Sequence, residues 1–373
     1  MNTIREPLLI NNMQLRNRLA LPALTTNSST ADGEITEEVL DFYKARAGAI
    51  GLVIVEATAI RPDGCLVPNS PGLWEDRHVA GMSRLVDTIK SQGACAVVQL
   101  NHAGARGIPH NGPLAGASPS GFQFRSDLKP LILTEAQIEQ LTNDFADAAG
   151  RAAASGFDGV EIHGAHFYLL SQFISPYTNQ RKDNFGGDLN GRARFALKVV
   201  KAVREKIGAS RSIIFRLNAV EGVTGGQSTK DSAALGRLLA DSGVDLLDVS
   251  FAGNSLWQEI DGTRHVVIAS ALARSEENGK NIGHAAHLKK ETGLPVIAVG
   301  KLWDERSIAE ALENDQVDIV AIGRQMIADP LAAEKILSNQ FDQISACKEC
   351  ANCYATIRRG VPMQCAVFHG QSK

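Results

Sequence analysis

Excess charge of either sign, long apolar runs, low-complexity tracts and aromatic side chains are all scarce in this 373-residue chain. Its 38 Lys and Arg face 41 Asp and Glu, a formal net charge of −3. Without a basic excess or a basic tail, nothing favours nucleic acid or an anionic membrane as a partner. The most apolar stretch, residues 49–60, is broken by Glu56 and is too short to cross a bilayer. The opening MNTIREPLLI lacks an apolar core followed by a small-residue cleavage site, so it does not read as a secretory leader. The expectation is a soluble, cytoplasmic protein. Cysteine is sparse too, six in all, with Cys65 and Cys95 isolated and Cys347, Cys350, Cys353 and Cys365 crowded at the C-terminus. In a cytosolic chain such a cluster points to metal or redox chemistry before disulfides.

Glycine, by contrast, is plentiful. Apolar strand-like runs fall at residues 19–21, 51–55, 96–100, 160–163, 213–217, 246–250, 296–300 and 319–323, with helical patterns between them, among them 37–47, 79–91, 135–154, 192–207, 230–241 and 305–312. This alternation predicts an α/β fold, a (β/α)8 TIM barrel. A doubly wound sheet would need a Gly-rich phosphate turn after its first strand, and Leu21-Pro22-Ala23-Leu24-Thr25 has no glycine. A weak repeat supports the barrel: Ala47-Gly48, Ser155-Gly156 and Ser242-Gly243 each end a helical pattern just before a strand, as left-handed caps would. Residues 8–15, with Asn11-Asn12 in the middle, predict a hairpin plugging the barrel floor. Residues 103–133 follow the third strand, are rich in Gly, Pro and Ser, and predict a lid insertion. The expected organisation is a barrel over residues 1–340 and a cysteine-rich extension over 341–373 packed on it.

Chemistry in such a barrel sits at the C-terminal strand ends. Strands seven and eight end in Gly300-Lys301 and Gly323-Arg324, where glycine lets backbone N–H groups approach a phosphate and the base neutralises it. The blander reading is that these glycines only permit tight turns. Gln99 and Arg216 point inward at the mouth from strands three and five. An amide that donates and accepts, beside a fixed cation, suits the pyrimidine edge of a flavin. The alternative is a pair of satisfied core polar residues.

The densest chemistry lies in VEIHGAHFYLLSQFISPYTNQRKDNFGG, residues 160–187. His163, His166 and Tyr168 fall within six residues at a strand end. Two imidazoles and a phenol can polarise an oxygen and deliver a proton. The histidines also read as zinc ligands, with Glu161 on the same side of the strand as a third, or as structural residues.

These stretches, with NRLALPALT (17–25), GLVIVEATAI (51–60), VVQLNHAGAR (97–106), FRLNA (215–219) and the run Asn179-Gln180-Arg181-Lys182-Asp183-Asn184-Phe185-Gly186-Gly187, resemble the Old Yellow Enzyme family of NAD(P)H-dependent flavin oxidoreductases nearly end to end. The resemblance implies FMN, with NADH or NADPH as reductant. It places Pro22, Ala23, Leu24 and Thr25 along the isoalloxazine, with Ala57 touching the ring through its backbone. Gln99 and Arg216 would hold the pyrimidine edge, and Gly300, Lys301, Gly323 and Arg324 the phosphate. His163 and His166 match the pair that grips a carbonyl or nitro oxygen of an electron-poor alkene, and Tyr168 matches the proton donor. Relatives commonly form dimers or tetramers, so a homo-oligomer is expected.

Cys347, Cys350, Cys353 and Cys365 give C-x2-C-x2-C-x11-C. This is similar to the [4Fe–4S] site of the larger branch of the family, which includes dienoyl-CoA reductases and trimethylamine dehydrogenase. A cluster, free thiols and structural zinc all stay open for these four residues. Two further functional readings follow from that branch: an electron-transfer module fed by a separate redox partner, and amine oxidation. The latter favours an aromatic bowl over the flavin, and the chain has three Trp and four Tyr to build one. Trp257 and Phe167 are its candidates.

Overall fold

The computed structural model describes residues 3–108, 112–118, 129–253 and 277–368, together with the backbone of strands at 255–260 and 263–268. The chain opens with an antiparallel hairpin of β1 (Leu8–Ile10) and β2 (Met13–Leu15). Asn11 makes the turn at φ 52°, a conformation Asn tolerates because its side chain can bond locally. Ile10, Met13 and Leu15 are buried against the inner face of the barrel, which is the floor plug read from the sequence.

The barrel strands follow: β3 (Leu19–Leu21), β4 (Leu52–Ala59) and β5 (Cys95–Asn101). Beyond β5, in the segment expected as a lid, β6 (Ala115–Gly116) pairs with β7 (Leu131–Ile132) outside the barrel. The rest of that segment, 109–111 and 119–128, lies outside the described residues. Next come β8 (Gly159–Gly164), β9 (Ser212–Glu221) and β10 (Leu246–Ala252), a hairpin of β11 (Ser255–Ile260) and β12 (Thr263–Ile268), then β13 (Val296–Val299) and β14 (Ile319–Ala321). Eight strands close a parallel barrel in the order β10-β13-β14-β3-β4-β5-β8-β9, as the alternation predicts.

Helices pack outside: α1 (Glu37–Ala47), α2 (His78–Lys90), α3 (Glu135–Ala154), a short α4 (Leu169–Ile174), then α5 (Leu189–Ile207), α6 (Thr229–Asp241) and α7 (Ile282–Thr292). The chain ends with α8 (Glu305–Glu313), α9 (Arg324–Ala328), α10 (Ala332–Leu337) and α11 (Asn352–Arg358). Side-chain caps start several of them. Thr36 accepts from Val39 N, Asp188 from Gly191 N and Asp304 from Ser307 N, while Thr134 with Gln137 and Ser228 with Asp231 form capping boxes.

One expected detail differs. Gly156 and Gly243 are left-handed, at φ 94° and 100°, but Gly48 is right-handed at φ −56°. The reason is Arg16, whose guanidinium donates to Ala47 O at 2.9 Å and to Gly48 O at 2.7 Å. With those helix-end carbonyls satisfied, no left-handed cap is needed.

After α10 the chain crosses the C-terminal face of the barrel. Gln325 Nε2 donates to Ser345 O at 2.8 Å, and Cys347 N donates to Gln325 Oε1 at 2.9 Å. Farther on, Asn27 Nδ2 donates to Val361 O at 3.0 Å and Met363 N donates to Thr26 O at 2.8 Å. Among the described residues no helix is long and apolar enough to cross a membrane.

Candidate active site

Side chains inside the barrel stack in layers because strand residues alternate between faces. The lowest layer is apolar and includes Val97, Ile214, Leu246 and Ile297. Two residues farther along the same strands stand Gln99 on β5, Arg216 on β9 and Asp248 on β10, with Glu161 beside Gln99 in register on β8. All four are buried. Gln99 Nε2 donates to Glu161 Oε1 at 2.6 Å, and Arg216 Nε lies 3.3 Å from Asp248 Oδ2. Burial, then the charge of Asp248, holds the Glu161 carboxyl well above its usual range. Burial raises Asp248 too, against the pull of Arg216.

One layer higher come His163, Asn218 and Ser250. Past β8 the chain reverses through His166 and Phe167, both left-handed at φ 60° and 56°. Non-glycine residues take that conformation at a cost, so the surroundings must hold it. Here His166 N donates to Asn218 Oδ1 at 3.0 Å, Phe167 N to Ser171 Oγ at 3.1 Å, and the Arg106 guanidinium donates to His166 O. The reversal gathers three rings. Centroids lie 5.1 Å apart for His163 and His166, 4.9 Å for His163 and Tyr168, and 6.3 Å for His166 and Tyr168.

Burial lowers both imidazoles well below their ordinary value, with Arg216 the next cause, so both are neutral at physiological pH. Ala165 N donates to His163 Nδ1 at 3.4 Å, which leaves the His163 proton on Nε2. His166 Nε2 meets Ser250 Oγ at 2.7 Å. Tyr168 is half-buried with the Arg106 guanidinium 4.7 Å above its ring. Burial raises the phenol, and Arg106 opposes it. Zinc has no support here: among the described residues no three His, Cys, Asp or Glu side chains are arranged to share an ion, and Glu161 is bonded to Gln99.

Around the mouth, Pro22 is buried and Ala23, Leu24 and Thr25 are half-buried as the chain leaves β3. Beneath them Glu56 accepts from Thr26 N and from Thr26 Oγ1, each at 2.7 Å. Ala57, the next residue of β4, is buried. Gly300 (φ 132°) and Lys301 (φ 53°) follow β13, and Gly323 and Arg324 follow β14. A Cβ at Gly323 would lie 3.4 Å from both Leu24 and Pro22, so that strand end and the Pro22 segment touch. Lys301, Gly323 and Arg324 line an open cleft of about 330 Å³ that Cys347 and Glu349 also border.

Glu349 was not anticipated. Its carboxylate lies 3.2 Å from Lys301 Nζ, so a base expected to face an anion is already paired with an acid from the cysteine loop. Nothing in CKECANC distinguishes this acid from a solvated one. Asn218 and Ser250 were not anticipated either, although each lies two residues beyond an inward-facing polar residue of its strand, a signal that could have found them. Phe167 is fully buried and packs with Ala105 and Ala252, which removes it from an aromatic bowl. The side chain of Trp257 lies outside the described residues.

Among the described residues, none of the six cysteines forms a disulfide. Cys350 is exposed, and Cys347, Cys353 and Cys365 are half-buried. Glu349 N donates to Cys347 Sγ at 3.4 Å and Val367 N to Cys365 Sγ at 3.3 Å. Burial raises the Cys347 and Cys353 thiols. As they stand, the four thiols do not form a ready ligand set.

The profile of the NADH:flavin oxidoreductase / NADH oxidase family matches residues 3–343. The chain belongs to this family. Among curated relatives of this flavin oxidoreductase family, it is 34% identical to an NADH oxidase from Thermoanaerobacter brockii, covering 91% of this chain and 52% of that protein. It is also 34% identical to an NADPH dehydrogenase from Clostridium acetobutylicum, covering 88% and 92% respectively. An NADH:acrylate oxidoreductase from Vibrio harveyi is 32% identical over 88% of this chain and 32% of its own length. The chain thus spans about half of the first of these relatives and a third of the last. Among solved structures, morphinone reductase in complex with tetrahydroNAD superposes with a TM-score of 0.74 at 26% identity, covering 90% of this chain and 91% of that one. The barrel and its strand-end site fit a flavin: two bases bracket the cleft, and Gln99 and Arg216 lie below the mouth.

Proposed function

We propose that the protein is an FMN-dependent NAD(P)H oxidoreductase that reduces electron-poor alkenes such as enones and enals, and nitro compounds. The observation that carries this reading is the neutral imidazole pair beside Tyr168. Pro22, Ala23, Leu24, Thr25 and Ala57 would line the isoalloxazine, Gln99 and Arg216 its pyrimidine edge, and Gly300, Lys301, Gly323 and Arg324 the phosphate. When bound, FMN supplies hydride chemistry, taken from a nicotinamide and given to the alkene.

The chain's own residues supply orientation and protons. His163, with its proton on Nε2, is a hydrogen-bond donor for a carbonyl oxygen, and His166 is the second. With Nε2 of His166 taken by Ser250, its Nδ1 would donate, and two neutral donors meeting at one oxygen would draw charge from the conjugated β carbon, as an oxyanion hole does. Neutrality matters, since an imidazolium would bind acids rather than polarise a ketone. Tyr168 keeps its proton because burial holds its phenol high, and it would deliver that proton to the α carbon. A relative named for acrylate, itself an electron-poor alkene, supports this substrate class.

Tyr168→Phe tests the assignment. Alkene reduction slows by about 10²-fold or more, whereas reduction of the bound flavin by NAD(P)H survives. Equal loss in both half-reactions rejects the role. The four C-terminal cysteines stay outside this mechanism. An absorption spectrum of protein purified without oxygen, with iron and sulfide analysis, separates free thiols from a [4Fe–4S] centre serving a redox partner.

A further inference from the structure

The polar layer beneath the histidines carries two acids and one base. Arg216 can pair closely with one carboxylate, and a second ionised carboxylate at that depth would be buried without a counter-charge, which is costly. Asp248 is the acid beside Arg216, at 3.3 Å. Glu161 already accepts from Gln99 through Oε1. Its Oε2 is buried with no hydrogen-bond partner, and so are both carboxyl oxygens of Asp248. After burial, the charge of Asp248 is the next influence that raises the Glu161 carboxyl, so the two acids are neighbours in this layer.

Arg216 Nε, itself without a hydrogen bond, lies 3.3 Å from one of these acceptors, Asp248 Oδ2, which leaves Glu161 Oε2 and Asp248 Oδ1 short of a donor. A hydrogen on Glu161 Oε2 supplies it, turning two repelling acceptors into a short charge-assisted bond. We propose that Glu161 and Asp248 share one proton, carried on Glu161, and that this pair positions Gln99 and Arg216 for the pyrimidine edge of the flavin.

Two consequences follow for the residues above. Glu161 engages the Gln99 amide nitrogen, so the amide oxygen is turned away from the acid and presents an acceptor. Asp248, still ionised, offsets the charge of Arg216, so the layer is neutral overall. Among the described residues, Arg216 is the charged side chain that acts on the pair, while β5 contributes Gln99, β8 the neutral His163, β10 the uncharged Ser250, and the layer below is apolar. The raised Glu161 carboxyl agrees with this arrangement.

The proposal rests on the FMN reading for its effect on the ligand, and its test keeps the two apart. Infrared difference spectra of wild-type protein without flavin, with and without 13C-glutamate labelling, look for the carbonyl band of a buried protonated acid. A band that shifts with the label, is lost in Glu161→Gln and is kept in Glu56→Gln is the expected result, since Glu56 is a second buried acid that holds its proton to about pH 7. No such band in the wild type, or a labelled band that Glu161→Gln keeps unchanged, overturns the shared proton on Glu161.

Midpoint potentials of flavin-loaded protein then test the positioning. Glu161→Gln reproduces the donor and acceptor of a protonated acid, whereas Asp248→Asn leaves Arg216 unbalanced. Asp248→Asn should raise the potential by at least a tenfold change in the ratio of reduced to oxidised flavin affinity, about 30 mV for a two-electron couple, and Glu161→Gln should move it far less. Equal shifts in both variants overturn the proposal, because both acids would then be ionised. Failure of the wild type to bind FMN refutes the flavin reading, while the infrared result still decides the proton.

Discussion

Glu56 offers a stability measurement whose sign and size follow from its surroundings. It is fully buried, and burial raises its carboxyl from 4.5 to about 7 despite the opposing bonds from Thr26 and Asn27. The unfolded chain releases this proton near the ordinary value, whereas the folded protein keeps it until about pH 7. The stabilisation is therefore full below pH 4.5 and is lost as pH rises through 7. A shift of this size corresponds to roughly 3 kcal/mol across the window. The perturbation is Glu56→Gln, which keeps the volume and cannot ionise. The assay is urea unfolding of both proteins from pH 4.5 to 8, taking the difference in unfolding free energy at each pH. Buried His102, His163 and His166, whose values are lowered by burial, contribute the opposite slope in both proteins and cancel in the difference. The lost carboxylate acceptor at Thr26 adds a constant offset. Wild type should lose about 3 kcal/mol relative to the variant over the window. A flat difference, or one that grows in favour of wild type with rising pH, would refute the reasoning.

Glu349→Gln removes the acid that competes for Lys301, so FMN should bind about tenfold tighter, roughly 1.4 kcal/mol; unchanged affinity in fluorescence titration would mean that Lys301 does not meet the phosphate. Gly191→Ala would ordinarily favour a helix by about 1 kcal/mol. Here the added methyl would overlap the Gly186 carbonyl oxygen, so the melting temperature should fall, by an amount equivalent to about 2 kcal/mol or more. Ser250→Ala removes the partner of His166 Nε2, and the loss should appear as weaker binding of a carbonyl ligand with flavin content unchanged.

The barrel was legible because its strands are short apolar runs closed by glycine turns, and the bounds of β3, α1 and α3 coincide with the sequence pattern. Strand β9 runs on to Glu221, past the apolar run that marked it, because Asn218 and Glu221 are satisfied by Ser171 of α4 and by Ser175 just after it, which no local pattern shows. Helix α4 was hidden for a different reason: all six of its residues are buried, so LLSQFI has no polar face to reveal a helical period. The His–Tyr constellation was readable because one short segment carries all of it. The pairing of Glu161 with Gln99 and of Glu349 with Lys301 was not, since barrel closure sets β8 beside β5 for the first and the C-terminal loop must then cross the barrel for the second.

That closure has its thinnest point at β3, three residues long, aligned through Leu19 and Ala20 with β14 and through Ala20 and Leu21 with β4. By contrast β9 runs ten residues and is registered along most of its length with β8 on one side and β10 on the other. A seam this short is where transient local opening and fast amide exchange concentrate. The two strands that meet there are the first and the last of the barrel, and each leads directly into one side of the mouth, Pro22–Thr25 from one and Gly323–Arg324 from the other. A ligand reaching across both would act as a clasp on the barrel's own closure, so that amides of β3 and β14 become the most sensitive reporters of whether the site is filled.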